Sequence, residues 1–187
     1  MSTSQEPVSR IGGVSEAAGD PILTDLFSHI LAKRGHLLNI HQVVAHSPAM
    51  LRAQAAYTSA MREDSIVPRD LQELLILRVA QVNGSEYEQT VHRPIAITCG
   101  ASPAQVEAIA GWRTASVFNA KERAALAFVE QAGGNGEVDD AVFTAARQHF
   151  SPRELVEVTA LVAWYVGNSR FVRVMRIASE GGPKSGG

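Results

Sequence analysis

Arg69-Asp70-Leu71-Gln72-Glu73-Leu74-Leu75-Ile76-Leu77-Arg78-Val79-Ala80-Gln81-Val82-Asn83-Gly84-Ser85-Glu86-Tyr87-Glu88-Gln89-Thr90-Val91-His92 is the stretch on which the reading of this chain turns. Pro68 precedes it, and the leucines and Val79 that follow at helical spacing read as one buried helix. Asn83-Gly84 then supplies the left-handed residue at which helices end, and Ser85 is placed to cap the next helix. If that helix begins near Ser85, Ser85, Glu88 and His92 fall within about 60° of one another on one face, at roughly 100° per residue. A hydroxyl, a carboxylate and an imidazole then share one wall. Local structure alone also accounts for part of this, because Ser-x-x-Glu is a capping box and acidic residues suit the positive end of a helix.

Working outward, everything between residues 20 and 180 reads helical. Ile22, Phe27, Ile30 and Leu31 recur at helical spacing before Gly35. A short helix around Leu38–Ala45 gives way to one that Pro48 opens, running to about Arg62. After His92, Pro94 removes one backbone donor and is expected to kink the helix. Ser102-Pro103 starts a helix to about Trp112, Asn119 caps Ala120–Ala132, and Val138–His149 forms another. Ser151-Pro152 and Ser169 are read as starting the last two, and no run alternates as a strand would. Residues 1–19 and 181–187, poor in large apolar side chains, are expected to be flexible tails around a single domain at 20–180.

Val67-Pro68-Arg69-Asp70-Leu71-Gln72-Glu73 is echoed 84 residues later by Ser151-Pro152-Arg153-Glu154-Leu155-Val156-Glu157. In the same register Ser169 falls at Ser85, Val172 at Glu88 and Arg176 at His92. The pattern suggests an internal helix-pair repeat in which one copy keeps the chemistry. By this test Glu88 and His92 are functional candidates, while Glu73, matched by Glu157, is ambiguous.

Composition narrows the classes. With 187 residues, 45% of them hydrophobic, the chain suffices for one packed core. A net charge of −2 with no basic cluster argues against nucleic acid as a partner. The apolar runs fall short of the ~20 residues a membrane-spanning helix needs. One cysteine, Cys99, and no basic-then-apolar leader at the N-terminus point to the cytoplasm.

Glu73, Ser85, Glu88 and His92 together resemble the active segment of the carboxymuconolactone decarboxylase and alkylhydroperoxidase D-like (AhpD-like) family. There a Glu lies about twelve residues ahead of a Cys-x-x-Cys or its replacement, and a His follows four residues after it. Ser85 and Glu88 stand where the two cysteines of the peroxidase branch would be. The resemblance spans about Asn39 to Phe171 and includes Ala45-His46-Ser47-Pro48. It implies an all-α, compact helical bundle that assembles as a homotrimer or homohexamer, with a small-molecule substrate and no cofactor.

On this reading His92 is a general acid or base. Glu73 orients its ring and raises its pKa, and Glu88 is a second proton-handling group. Ser85 and His46 are pocket candidates, and His41 is a weaker one. The implied activity is proton transfer, with or without decarboxylation, on a small organic acid or lactone. A peroxidase-type oxidoreductase and a non-catalytic ligand-binding oligomer are the alternatives. The first must do without the cysteine pair, since a glutamate cannot attack a peroxide as a thiolate does.

Cys99, seven residues beyond His92 and about 10 Å along the axis, reads as a buried structural thiol rather than a lone redox centre. Glu88 and His92 with Glu73 have ligand chemistry, but helical carboxylate metal sites use Glu-x-x-His on two helix pairs, and the second copy has Val172 and Arg176. No metal is expected. Tyr87, Trp112, Phe118, Trp164 and Phe171 read as packing residues, and Arg78 and Arg170 as either substrate carboxylate binders or partners of nearby acids.

Overall fold

The computed structural model describes residues 8–180; the outer parts of both expected tails, 1–7 and 181–187, lie outside the described residues. The described chain is helical, with no strand among the described residues, and divides into two compact units. One comprises residues 8–60 with 172–180, the other 61–171. Each has its own cluster of buried apolar side chains.

The first unit holds α1 (Pro21–Arg34), α2 (Asn39–Val44) and α3 (Pro48–Ser59). Asp20 caps α1 by accepting from the Ile22 and Leu23 amides at 2.8 and 3.0 Å, and Gly35, at φ 76°, closes it in the left-handed conformation. Leu23, Leu26 and Phe27 pack with Ala45 and Leu51. Residues 8–19, expected to be tail, are fastened by backbone. The Arg10 amide donates to the Met175 carbonyl at 2.9 Å, the Ala178 amide to Val8 at 3.0 Å, and the Val14 amide to Gln42 at 2.9 Å. Such main-chain anchoring leaves no mark in composition, which is why these residues read as loose.

A π-helical turn, Ala60–Asp64, follows α3. The second unit is built around α4 (Arg69–Val82), which packs against α5 (Glu86–Thr98) and α7 (Ala120–Gly134). Nine of the fourteen α4 residues are buried, on all sides of the helix, as expected of one at the centre of a core. Glu73 and Gln72 are among them. The chain continues through α6 (Pro103–Ala108), a 3₁₀ turn at Ile109–Gly111, α7, α8 (Asp140–Arg147) and α9 (Pro152–Met175). Capping boxes at Ser102 with Gln105 and at Asn119 with Glu122 start α6 and α7. No described helix is long and apolar enough to cross a membrane.

The α4–α5 junction forms as its sequence dictates. Gly84 adopts φ 61°, the Ser85 amide returns to the Ala80 carbonyl at 2.8 Å, and the Ser85 hydroxyl accepts from the Glu88 amide at 3.4 Å. α5 continues through Pro94 to Thr98, and Cys99, only partly buried, is its C-cap.

Two expectations are corrected. Ser169 opens no helix, because α9 runs unbroken for 24 residues. Leu155, Val158, Leu161, Val162, Tyr165 and Ser169 are buried along it at helical spacing, and Gly167 takes no positive φ of the kind that breaks the chain at Gly84. The second copy of the sequence echo is thus one helix rather than a helix pair. What the copies share is an i,i+4 ion pair, Arg69–Glu73 in α4 and Arg153–Glu157 in α9. Cys99, expected to be buried, is only partly so, at the C-cap of α5.

Candidate active site

α4 and α5, joined by the tight turn at Gly84, bring Glu73 and His92 side by side. The Nδ1 of His92 lies 2.6 Å from Glu73 Oε2. On the other side of the ring, Nε2 is 3.4 Å from Glu88 Oε2, one turn earlier on α5. Glu73, Glu88 and His92 are 0%, 2% and 3% exposed, so three ionisable side chains occupy the core and each depends on the others for solvation.

Residues that the sequence reading passed over complete the cluster. Arg69, one turn before Glu73, donates to its other oxygen, Oε1, and to Gln72 Oε1 at 2.5 Å. Gln72 in turn donates to the Val67 carbonyl at 2.8 Å, tying the start of α4. From α9, the Asn168 amide donates to Glu88 Oε1 at 2.7 Å. Tyr165, one turn back, sets its ring at 90° to the His92 imidazole with centroids 5.1 Å apart. Arg62, on the π-helical turn, hydrogen-bonds the Tyr165 hydroxyl. Asn168 and Ser169 stand as a polar pair in the otherwise apolar run of α9, and that was the available signal.

These contacts set the charges. Burial alone would push the His92 pKa down, but the hydrogen bonds and negative charge of Glu73 and Glu88 outweigh it and raise it above the ordinary imidazole value. Burial would likewise raise Glu73. The hydrogen bond from His92 and the charges of His92, Arg69 and Arg62 win and hold it below the ordinary carboxylate range. The Tyr165 hydroxyl is pushed far up, by burial first, and stays protonated. Arg62 also stays charged, since Tyr165, Glu73 and Glu88 overcome its desolvation. Both shifts favour the ion pair of a protonated His92 with an ionised Glu73.

The remaining candidates fall elsewhere. Ser85 is buried and acts as the cap of α5, the bland role its spacing allowed. His46 is exposed in the turn between α2 and α3, within the first unit. Arg78 is taken by Glu130, with Nε and Nη2 at 3.0 and 2.6 Å from Oε2. Glu130 also accepts from Trp112 and Arg113, and these donors overcome its burial to bring its pKa down to about 2. Arg170 is exposed. Glu157, the counterpart of Glu73, holds the Ser65 hydroxyl at 2.7 Å and the Ile66 amide at 2.9 Å, a loop-fastening role. Tyr87, Trp112 and Phe118 are core residues. Among the described residues no group of three histidine, cysteine or acidic side chains is arranged to hold a metal ion.

Comparison with solved structures shows the fold. An uncharacterised peroxidase-related protein from Ralstonia eutropha JMP134, described as an alkylhydroperoxidase AhpD core, superposes with a TM-score of 0.82 at 24% identity, covering 95% of both chains. A peroxidase-related protein from Silicibacter sp. TM1040 gives 0.79 at 18% identity over 97% of this chain and 96% of that one. The debrominase Bmp8, as a cysteine-to-alanine variant in complex with 2,3,4-tribromopyrrole, gives 0.80 at 20% identity over 90% and 91%. At such identities the likeness concerns architecture. No curated protein matches the chain by sequence. Residues 48–131, which contain Glu73, Ser85, Glu88 and His92, match the carboxymuconolactone decarboxylase family. The chain thus has the fold of AhpD-like proteins, and its segment 48–131 is similar to the carboxymuconolactone decarboxylase family.

Proposed function

We propose that the protein is a cofactor-free enzyme that moves a proton on a small organic acid or lactone, with His92 as the acid–base centre. The observation that carries this reading is the placement of both ring nitrogens of His92 against buried carboxylates, Glu73 at 2.6 Å and Glu88 at 3.4 Å. The short contact fixes the ring through Nδ1, and the longer one leaves Nε2 and Glu88 as the pair that exchanges a proton.

In the simplest sequence, the Glu88 carboxylate removes a proton from carbon next to a substrate carbonyl, and the electron pair moves onto the carbonyl oxygen as an enolate. The His92 imidazolium, through Nε2, supplies a proton to the product, and Glu88 returns its own to His92. Where carbon dioxide leaves instead, the electrons of the broken C–C bond form the enolate, His92 protonates it, and the neutral ring takes a replacement proton from water. Glu73 remains ionised throughout and keeps the ring oriented.

Peroxidase chemistry of the kind named for the structural neighbours has less support, since Ser85 and Glu88 stand where the family resemblance puts the two cysteines of the peroxidase branch, and Cys99 caps the far end of α5. The debrominase likeness keeps other substrates of this fold in view. Assembly as a homotrimer or homohexamer in the cytoplasm is part of the same proposal, and light scattering tests the oligomer. The reaction is tested by following hydrogen–deuterium exchange at carbon in small keto acids and unsaturated lactones in deuterated water. Exchange should appear with the native protein and vanish with His92→Ala, and no exchange across the panel would overturn the proposal.

A further inference from the structure

His92 has one tight partner and one loose one. Nδ1 is 2.6 Å from Glu73 Oε2, while Nε2 and Glu88 Oε2 stand 3.4 Å apart, longer than a good hydrogen bond. A ring pinned at one nitrogen can still swing about that pin, and the swing opens or closes the second gap. Whatever limits the swing sets the distance over which Nε2 and Glu88 exchange a proton.

Around the ring, α4 supplies Glu73, backed by Arg69, and α5 supplies Glu88. From α9 comes Tyr165, 3% exposed, its ring at 90° to the imidazole, and its hydroxyl is held in turn by Arg62. Arg62 belongs to the π-helical turn Ala60–Asp64 and is half-buried, whereas the neighbouring Glu63 and Asp64 are exposed. Such turns are rare and gather at functional sites. The chain just after this one is fastened to α9. Arg153 Nη2 donates to the Asp64 carbonyl at 2.9 Å, and Glu157 accepts from the Ser65 hydroxyl and the Ile66 amide at 2.7 and 2.9 Å. Met61, beside Arg62, packs on the core of the second unit. Arg62 thus reaches Tyr165 from a fixed base.

Resting on the acid–base reading above, we propose that Arg62 is a positioning residue for His92. Acting through Tyr165, it holds the imidazole at the angle that keeps Nε2 within proton-exchange reach of Glu88. The Tyr165 ring is the wall against which the imidazole rests, and its hydroxyl is the handle by which Arg62 fixes that wall. The phenol stays protonated and takes no proton in the cycle.

The test is NMR of the nitrogen-15-labelled full-length protein, following His92 Nδ1 and Nε2 separately through a pH titration. Native protein is compared with Tyr165→Phe, Arg62→Met and the double variant. Tyr165→Phe keeps the aromatic ring and the charge of Arg62 and removes only the link between them. On the acidic plateau it should displace the Nε2 resonance more than that of Nδ1, which Glu73 still holds. Its midpoint should fall, because a loosened Glu88 contact raises the imidazole less than the native one does. Arg62→Met should displace Nε2 in the same direction, and the double variant by less than the sum of the two, as for residues acting in series. Arg62→Lys, which keeps a cationic donor, should displace it least. Where carbon exchange is followed, Tyr165→Phe should slow it about ten- to a hundredfold.

An unmoved Nε2 resonance in Tyr165→Phe overturns the proposal, since packing alone would then hold the ring. So does equal displacement of both nitrogens, or a double variant that shows the full sum. A midpoint that rises in Arg62→Met while Tyr165→Phe behaves as native also overturns it, reducing Arg62 to a nearby positive charge. None of these NMR outcomes requires turnover, so they are separate from loss or retention of carbon exchange in His92→Ala.

Discussion

His92 on α5 and Glu73 on α4, nineteen positions apart in sequence, are joined by a 2.6 Å contact between Nδ1 and Oε2 in the core of the second unit. Because Glu88 waits at the opposite nitrogen, the arrangement favours the doubly protonated ring over either neutral tautomer. That preference reaches beyond chemistry into stability.

A histidine whose pKa is raised on folding stabilises the native state fully below its unfolded value, near 6.5, and the contribution is lost as pH rises through the raised folded value. Glu73, lowered on folding, behaves oppositely: its contribution is present above about 4.5 and lost as pH falls through its lowered value. The melting temperature of the native protein should therefore decline on both the alkaline and the strongly acidic side. In His92→Gln the alkaline decline that separates the two proteins between pH 6 and 9 should disappear. Parallel curves for the two proteins over that range would contradict the raised pKa.

Asn168 neutralises none of the charge of Glu88 but satisfies one of its oxygens, so Asn168→Ala should cost about 1–3 kcal/mol, the cost of leaving a buried acceptor unpaired. Asn168→Asp sets a second carboxylate against Glu88 and should be worse at pH 7. Its penalty should shrink as the pH is lowered toward 4, where one carboxyl takes up a proton. Urea unfolding at both pH values reads this out; a pH-independent penalty would mean that Asn168 is a packing residue only.

Ser85 tests how far the bland reading of its position extends. As the N-cap of α5 its change to Ala should cost about 1 kcal/mol of stability, while carbon exchange proceeds at the native rate. A rate loss larger than tenfold, with the stability loss as predicted, would return Ser85 to the substrate pocket.

Much of this architecture was legible because local signals agreed with one another. Gly84 reads as a left-handed stop and is one; Asn119-x-x-Glu122 and Ser102-x-x-Gln105 read as capping boxes and form them. Glu73 and His92 were legible as candidates from spacing and resemblance. Asn168, Tyr165, Arg62 and Arg69 were not, since three of them reach the cluster from α9 or the π-helical turn, across distances that no local period encodes. Arg69 at i,i−4 from Glu73 was within reach of a helical ion-pair rule and was overlooked. Ser169 misled for a related reason: a serine after Gly167-Asn168 looks like a cap, and only the burial of α9 on both sides of it keeps the helix going.

The positions of Ser85 and Glu88, three apart at the start of α5, also predict what would restore peroxide chemistry. Ser85→Cys with Glu88→Cys should give thiol-dependent consumption of an alkyl hydroperoxide with a dithiol donor, beside an intact His92–Glu73 pair, and should abolish carbon exchange. The native protein and Cys99→Ser should show equal, negligible peroxide turnover in the same assay. Thiol-dependent turnover by the native protein that Cys99→Ser removes would favour the oxidoreductase reading instead.

The most direct measurement is a site-resolved NMR titration of the His92 imidazole in nitrogen-15-labelled protein, alongside Glu73→Gln. The account predicts a midpoint above the ordinary 6.5 of histidine and a fall of that midpoint in the variant. A midpoint at or below 6.5 in the native protein, or one indifferent to Glu73, would contradict it.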